Sequence, residues 1–188
     1  MRWRSDFIDA LRATDMPAVR LPGGNFVSAW DWKDSIGPKE QRKVRLDPAW
    51  HQYITNEVGH DEYLQWAEKV QAEPLYTVNL GTGDMRDAMD LVEYTNHEGG
   101  TWWSDLRRKN GHEKPYDVRT WYLGNEMDGP WQIGSWDKDP RGYGVRANEV
   151  LGRIMAPYSS MESMSRLGDR HLAATRSHSA TSVLMKSS

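Results

Sequence analysis

Apolar residues return at helical spacing in three stretches of the chain. In "SDFIDALRATD" (5–15) Phe7, Ile8 and Leu11 fall on one face, with Ser5 placed as a cap. "HDEYLQWAEKVQ" (60–71) aligns Tyr63, Leu64, Ala67 and Val70, and "DMRDAMDLVEYT" (84–95) aligns Met85, Ala88, Met89 and Val92. Three short apolar segments read as strands: "PAVRL" (17–21), "PLYTVNL" (74–80) and "VRTWYLG" (118–124). The order helix, strand, helix, strand, helix, strand predicts an α/β fold with a parallel sheet and crossover helices. Two polar stretches, 22–59 and 96–117, read as loops, and the first is long enough to be functional. From Met155 onward, 34 residues hold nine Ser and four Met with no sustained apolar period. That composition predicts a poorly folding tail, and a translated wrong reading frame would have the same look.

The two sides of these units differ. The strands end in "PGGNF", "NLGTG" and "GNEMDGP", whereas the connections after the helices ("ATDM", "QAE") are short and plain. Functional residues of β/α folds gather at the carboxyl ends of strands. None of the glycine clusters has a nucleotide-binding spacing, so a barrel fits better than a dinucleotide-binding sheet.

Composition narrows the classes. With 188 residues the chain can build one domain with a core. Its 24 basic and 27 acidic residues leave a net charge of −3, so a nucleic-acid partner is not expected. No apolar run is long enough for a transmembrane helix, the N-terminus lacks a signal-type apolar core, and no membrane partner is expected. The lack of cysteine excludes disulfides and thiolate metal sites and is compatible with a cytoplasmic setting. His51, His60, His97 and His112 have no metal-binding spacing and read as solvated or capping side chains; "LRRKNGHEK" (106–114) reads as a solvated helix end. Ten Trp against two Phe is unusual, and every Trp lies at or before Trp136. Most Trp side chains pack in cores, but the indole face also stacks on sugar rings.

The stretch "WYLGNEMDGPW" (121–131) carries the candidate chemistry. Asn125 and Glu126 follow a strand immediately. A carboxylic acid that delivers a proton near neutral pH needs surroundings that disfavour its anion, and Trp121, Tyr122 and Trp131 lie close in sequence. The Asn125 amide could hold a sugar hydroxyl beside the reacting carbon. Taken alone, the dipeptide is also a common helix cap with an acidic first turn. The second strand-end motif, "RLPGGN", would bring Arg20 as a fixed cation and Asn25 as another amide to the same mouth.

The blocks "VRLPGGNFVSAWDWKDSIGP" (19–38), "VNLGTG" (78–83), "DLVEYTN" (90–96) and "WYLGNEMDGPWQIG" (121–134), in this order, resemble the α-L-arabinofuranosidases of glycoside hydrolase family 51. The resemblance covers about residues 1–150. It implies a partial (β/α)8 barrel over 1–154, about strands two to four with their helices, followed by the unmatched tail 155–188. It implies retaining hydrolysis of terminal α-L-arabinofuranosyl residues from arabinan- or arabinoxylan-type oligosaccharides, with two glutamates, no metal and no cofactor. Full-length members are implied to be homo-oligomers. Glu126 matches the general acid/base. Asn125 and Asn25 match sugar-binding amides, Arg20 an arginine that supports the catalytic carboxylates, and Trp50 an aromatic at the sugar pocket. The pattern is broken at Ile54, where an acidic residue is expected. No counterpart of the first barrel strand or of the nucleophile glutamate is found, and Glu162 lacks a strand context. The expectations are therefore a chain inactive by itself, with two open sheet edges that favour association. The alternatives are another retaining glycosidase of the same barrel clan, such as a β-xylosidase or endoglucanase, or a non-catalytic sugar-binding remnant.

Overall fold

The computed structural model of the chain describes residues 3–155 and 184–186. The expected tail otherwise lies outside the described residues. Helix α1 (Ser5–Arg12) leads into strand β1 (Ala18–Leu21). An antiparallel hairpin of β2 (Arg45–Asp47) and β3 (Gln52–Ile54) precedes α2 (His60–Val70) and β4 (Glu73–Val78). Then come α3 (Met85–Asn96), α4 (Trp102–Lys109), β5 (Thr120–Leu123), α5 (Pro140–Met155) and β6 (Leu184–Lys186). The main sheet has the order β1-β4-β5-β6; β1–β4 and β4–β5 are parallel and β5–β6 is antiparallel. The α/β reading with a parallel sheet therefore holds, and β6 covers the β5 edge that was expected to be open.

Register explains the core. Leu21 pairs with Tyr76 and Tyr76 with Trp121, while Val78 pairs with Leu123, so these side chains share one face. They pack with Leu64 and Ala67 of α2, Leu91 and Val92 of α3, and Val150 and Ile154 of α5. Burying one such aliphatic side chain contributes about 1.5–3 kcal/mol. The opposite face carries Arg20, Leu75, Thr77, Thr120 and Tyr122.

Several local readings needed tertiary correction. Ser5 is the first residue of α1 rather than its cap; Arg4 occupies the cap position with no side-chain cap bond. Residues 22–59 are not an open loop. They contain 3-10 turns over Asn25–Ala29, Trp32–Ser35 and Lys39–Gln41, plus the hairpin, and they bury Val27, Trp30 and Trp32. Ion pairs tie them together and to α2: Arg42 donates to both carboxylate oxygens of Glu62 at 2.9 Å, and Asp34 pairs with Lys43 and Arg45. Residues 96–117 contain α4. Helix α5 has the right periodicity, since Tyr143, Ala147, Val150 and Ile154 are all buried, but Gly142 and Gly144 obscure it.

Two polar readings also change. Arg107 is fully buried, not solvated, and donates to the carbonyls of Tyr94, His97, Glu98, His112 and Glu113. His60 is likewise buried. Its Nδ1 lies 2.7 Å from the Tyr76 hydroxyl and its Nε2 lies 3.0 Å from Thr95 Oγ1. Thr95 spends its one hydroxyl hydrogen on the Leu91 carbonyl at 2.6 Å, so it must accept from His60 Nε2–H. Nδ1 then accepts from Tyr76 O–H, which fixes the neutral tautomer. Burial lowers the His60 pKa to about 3.

Candidate functional site

The carboxyl ends of β1 and β5 bring together four of the residues singled out from sequence. Arg20, on β1, donates from Nη2 to Asn125 Oδ1 at 2.6 Å. Asn125 Nδ2 in turn donates to Asn25 Oδ1 at 2.8 Å. These two bonds fix which end of the Asn125 amide faces which partner. The Arg20 guanidinium also sits 5.2 Å from the centroid of the Tyr122 ring, a cation–π placement that holds the long side chain over the sheet's second face. Among the described residues the Asn25 amide nitrogen makes no hydrogen bond, and Asn125 keeps one N–H to spare. The group therefore has donors left for hydroxyl oxygens of a ligand.

Glu126 is the next residue, half-buried, and its Oε2 accepts from the Trp131 indole N–H at 3.3 Å. No helix follows, so the helix-cap reading of the Asn-Glu pair fails. The chain turns instead, with Gly129 N–H donating to the Glu126 carbonyl at 2.9 Å. The turn starts at Gly124, whose φ of +88° suits glycine and whose added Cβ would lie 2.5 Å from Met127 Cγ. Glu126 itself has φ +47°, an uncommon conformation for a residue with a Cβ, costing about 1–3 kcal/mol. Backbone strain of that kind collects at functional sites when surrounding contacts impose it.

The surrounding contacts are present. Gln132 is buried and donates from Nε2 to the Asn125 carbonyl at 2.9 Å and to Ser28 Oγ. Met127 is fully buried against the core, and the Trp136 N–H donates to its carbonyl at 2.7 Å. The aromatic wall expected around Glu126 is smaller than the sequence suggested. Trp131 is beside it, exposed, but Trp121 turns into the core, where it packs on Tyr76 and donates to the Val118 carbonyl. Alternation along β5 is the cause: Trp121 and Tyr122 must point to opposite faces.

Trp50 lies apart in hydrogen bonding. It is exposed on the turn of the β2–β3 hairpin, its backbone N–H donates to Asp47, and it makes no hydrogen bond to Arg20, Asn25, Asn125 or Glu126. Sequence reasoning missed Ser28 and Gln132 as members of the site, and it placed Tyr122 beside Glu126 rather than against Arg20. The available signal was Gln132 itself, a polar residue between Trp131 and Ile133 in the same conspicuous block. Among the described residues no group of three or more His, Cys, Asp or Glu side chains could hold a metal ion. No helix among the described residues is long and apolar enough to cross a membrane. Among the described residues no carboxylate hydrogen-bonds to Arg20, Asn25, Asn125 or Glu126.

A family model described as the alpha-L-arabinofuranosidase 1 domain matches residues 10–171. The chain is 51% identical over 140 residues to an intracellular exo-α-(1→5)-L-arabinofuranosidase 1 of Bacillus subtilis strain 168, covering 74% of this chain and 28% of that one. It is 48% identical over 153 residues to an intracellular exo-α-(1→5)-L-arabinofuranosidase of Halalkalibacterium halodurans, covering 81% of this chain and 30% of that one. The chain thus spans less than a third of either relative's length. Among solved structures, a family 51 α-L-arabinofuranosidase from Bifidobacterium longum matches with TM-score 0.78 and 42% identity, over 82% of this chain and 30% of that one. An arabinose complex of the Thermotoga maritima α-L-arabinofuranosidase matches with TM-score 0.75 and 42% identity, over 81% and 31% of the two chains.

Proposed function

The chain belongs to the glycoside hydrolase family 51 α-L-arabinofuranosidases, and from that premise we propose that Glu126 is the general acid/base of retaining α-L-arabinofuranoside hydrolysis. The observation that carries the reading is the Arg20–Asn125–Asn25 hydrogen-bonded row, which stands directly beside Glu126 at the carboxyl ends of parallel strands. β1, β4 and β5 are then neighbouring strands of a (β/α)8 barrel, numbers two to four, whose inner face carries Arg20 and Tyr122. The substrate is an arabinose-containing oligosaccharide and the setting cytoplasmic, in keeping with the names of the relatives.

In the first step protonated Glu126 gives its proton to the glycosidic oxygen while a second carboxylate attacks the anomeric carbon, and the aglycone alcohol leaves. In the second step the Glu126 carboxylate takes a proton from water, whose oxygen displaces the enzyme carboxylate and frees arabinose. Asn125 and Asn25 offer N–H donors to the sugar hydroxyls, and Arg20 holds Asn125 in the orientation that leaves those donors facing outward. A retaining site needs its two carboxyl groups about 5 Å apart. Among the described residues no second carboxylate hydrogen-bonds to this row, and on this reading the described part by itself binds sugar without completing the double displacement.

The test is hydrolysis of an aryl α-L-arabinofuranoside by the purified chain, followed with tryptophan fluorescence of the same sample. Arabinoside-dependent quenching without release of the aryl alcohol is expected. Release of the alcohol that is abolished by Glu126→Gln would show that the chain supplies both carboxylates. Release untouched by Glu126→Gln would overturn the role of Glu126.

A further inference from the structure

Behind the Arg20–Asn125–Asn25 row lies a buried knot that the proposed chemistry does not use. Ser28, with no exposed surface, sits in the loop after β1. Its carbonyl accepts from the Thr82 N–H at 3.0 Å and the Thr82 hydroxyl at 2.9 Å, which tie in the loop after β4. Its Oγ accepts from Gln132 Nε2, and the same nitrogen donates to the Asn125 carbonyl, which ties in the loop after β5. The loops touch backbone to backbone: a Cβ added at Gly81 would lie 2.6 Å from the Ile133 carbonyl oxygen and 2.7 Å from Ser28 Cβ. Three loops from separate strands are thus clasped at one point.

We propose that Gln132 is a positioning residue that sets the conformation of Glu126 through this clasp; the proposal rests on the reading of Glu126 given above. The physical link is the Asn125–Glu126 peptide plane. Rotation of that plane changes ψ of Asn125 and φ of Glu126 together. Gln132 grips the carbonyl of that plane, and Glu126 has the unfavoured φ of +47°. Both hydrogens of the Gln132 amide group point at acceptors of the clasp, so the peptide cannot swing without stranding a buried donor. The carboxyl of Glu126, whose backbone nitrogen belongs to the same plane, accepts from the Trp131 indole. Ser28 serves as the anchor of Gln132, which places the loop after β1, and with it Asn25, in register with Asn125.

The experiment compares 1H–15N spectra of the full chain with those of Gln132→Met, which keeps the volume and removes the amide, and Ser28→Ala, which removes the anchor and leaves the bond to the Asn125 carbonyl. Gln132→Met is expected to move the Glu126 amide and the Trp131 indole N–H, while the Trp121 indole N–H, bonded inside the core, keeps its position. Ser28→Ala is expected to move the same two signals by less. A purely structural role would spread shifts over the core and lower the melting temperature without singling out Glu126. A folded Gln132→Met chain with both signals unmoved overturns the proposal. If Gln132→Met gives no dispersed spectrum, Ser28→Ala decides: a selective shift supports the clasp and an unchanged pair overturns it. The spectra need no turnover, so a chain that fails to hydrolyse arabinosides bears on the role of Glu126 and leaves this result standing.

Discussion

Two polar networks in this molecule invite a functional reading, and they are built on opposite terms. One is the cluster between α2, β4 and α3. Asp61 accepts from the Tyr94 hydroxyl at 2.7 Å and the Tyr116 hydroxyl at 2.9 Å, and His60 bridges Tyr76 and Thr95. The other is the strand-end row of Arg20, Asn125, Asn25 and Glu126. The first contains the strongly shifted groups. Burial lowers His60 to about 3, raises Asp61, and raises the phenols of Tyr76, Tyr94 and Tyr116. Yet nothing in that cluster is free to act, since both His60 ring nitrogens and both Asp61 oxygens are spent on buried neighbours. The strand-end row keeps unspent donors and a half-buried carboxylate. Shifted titration marks burial here, and spare hydrogen-bonding capacity marks the candidate site.

The contrast can be broken by substitution, beginning with the largest expected effect on folding. Arg107→Met strands five buried or part-buried carbonyls at the end of α3 and the loops beside it, and should cost roughly 3–5 kcal/mol in chemical denaturation. Asp61→Ala leaves two buried phenol hydrogens without an acceptor and should cost about 2–4 kcal/mol by the same measurement. If either variant were as stable as the parent chain, the cluster would not be the scaffold described.

The pH dependence sharpens the same point. His60 has a folded pKa of about 3 against an ordinary 6.5, so below 6.5 the unfolded chain takes up a proton that the folded chain refuses. Stability is therefore full above that value and falls as pH drops from 6.5 towards 3. Between pH 6.5 and about 4.5 the His60 contribution should shrink by about 2–3 kcal/mol, read from urea unfolding at each pH. Asp61 has the opposite sign: burial raises it, so the folded form binds a proton first and acidification through its range favours folding. The His60 loss should therefore approach its full slope about one pH unit below 6.5, and Asp61→Asn should remove the opposing contribution of Asp61.

The smallest effect on folding belongs to Glu126, the residue for which the largest chemical role is proposed. Glu126→Gln preserves shape, and the group accepts only one side-chain bond, at 3.3 Å. Its unfolding free energy should change by no more than about 0.5 kcal/mol. Wherever a second carboxylate completes the site, the same change should lower turnover of unactivated arabinosides by about 10²–10⁴-fold. A large stability loss from Glu126→Gln would erase the distinction between scaffold and site.

Much of this arrangement was legible along the chain. Periodicity located α1, α2 and α3, because an amphipathic stripe is a local property that survives without tertiary information. The three parallel strands were marked by short apolar runs that stop at glycine or at an Asn-containing turn, and Glu126, Asn125, Asn25 and Arg20 were all flagged from strand-end motifs. Those residue types and their order follow from sequence, since the carboxyl ends of parallel strands are where such side chains can converge. The sequence could not show which of them meet. Arg20 reaches Asn125 across 105 positions, Asn125 reaches Asn25 across 100, and Gln132 reaches Ser28 across 104. The tertiary structure alone decided that His60, Asp61 and Arg107 are interior, that residues 22–59 fold into 3-10 turns and a hairpin, and that Trp121 belongs to the core. The physical reason is the same in each case. A polar side chain is buried only where distant partners satisfy it, and those partners are assembled by packing rather than by spacing.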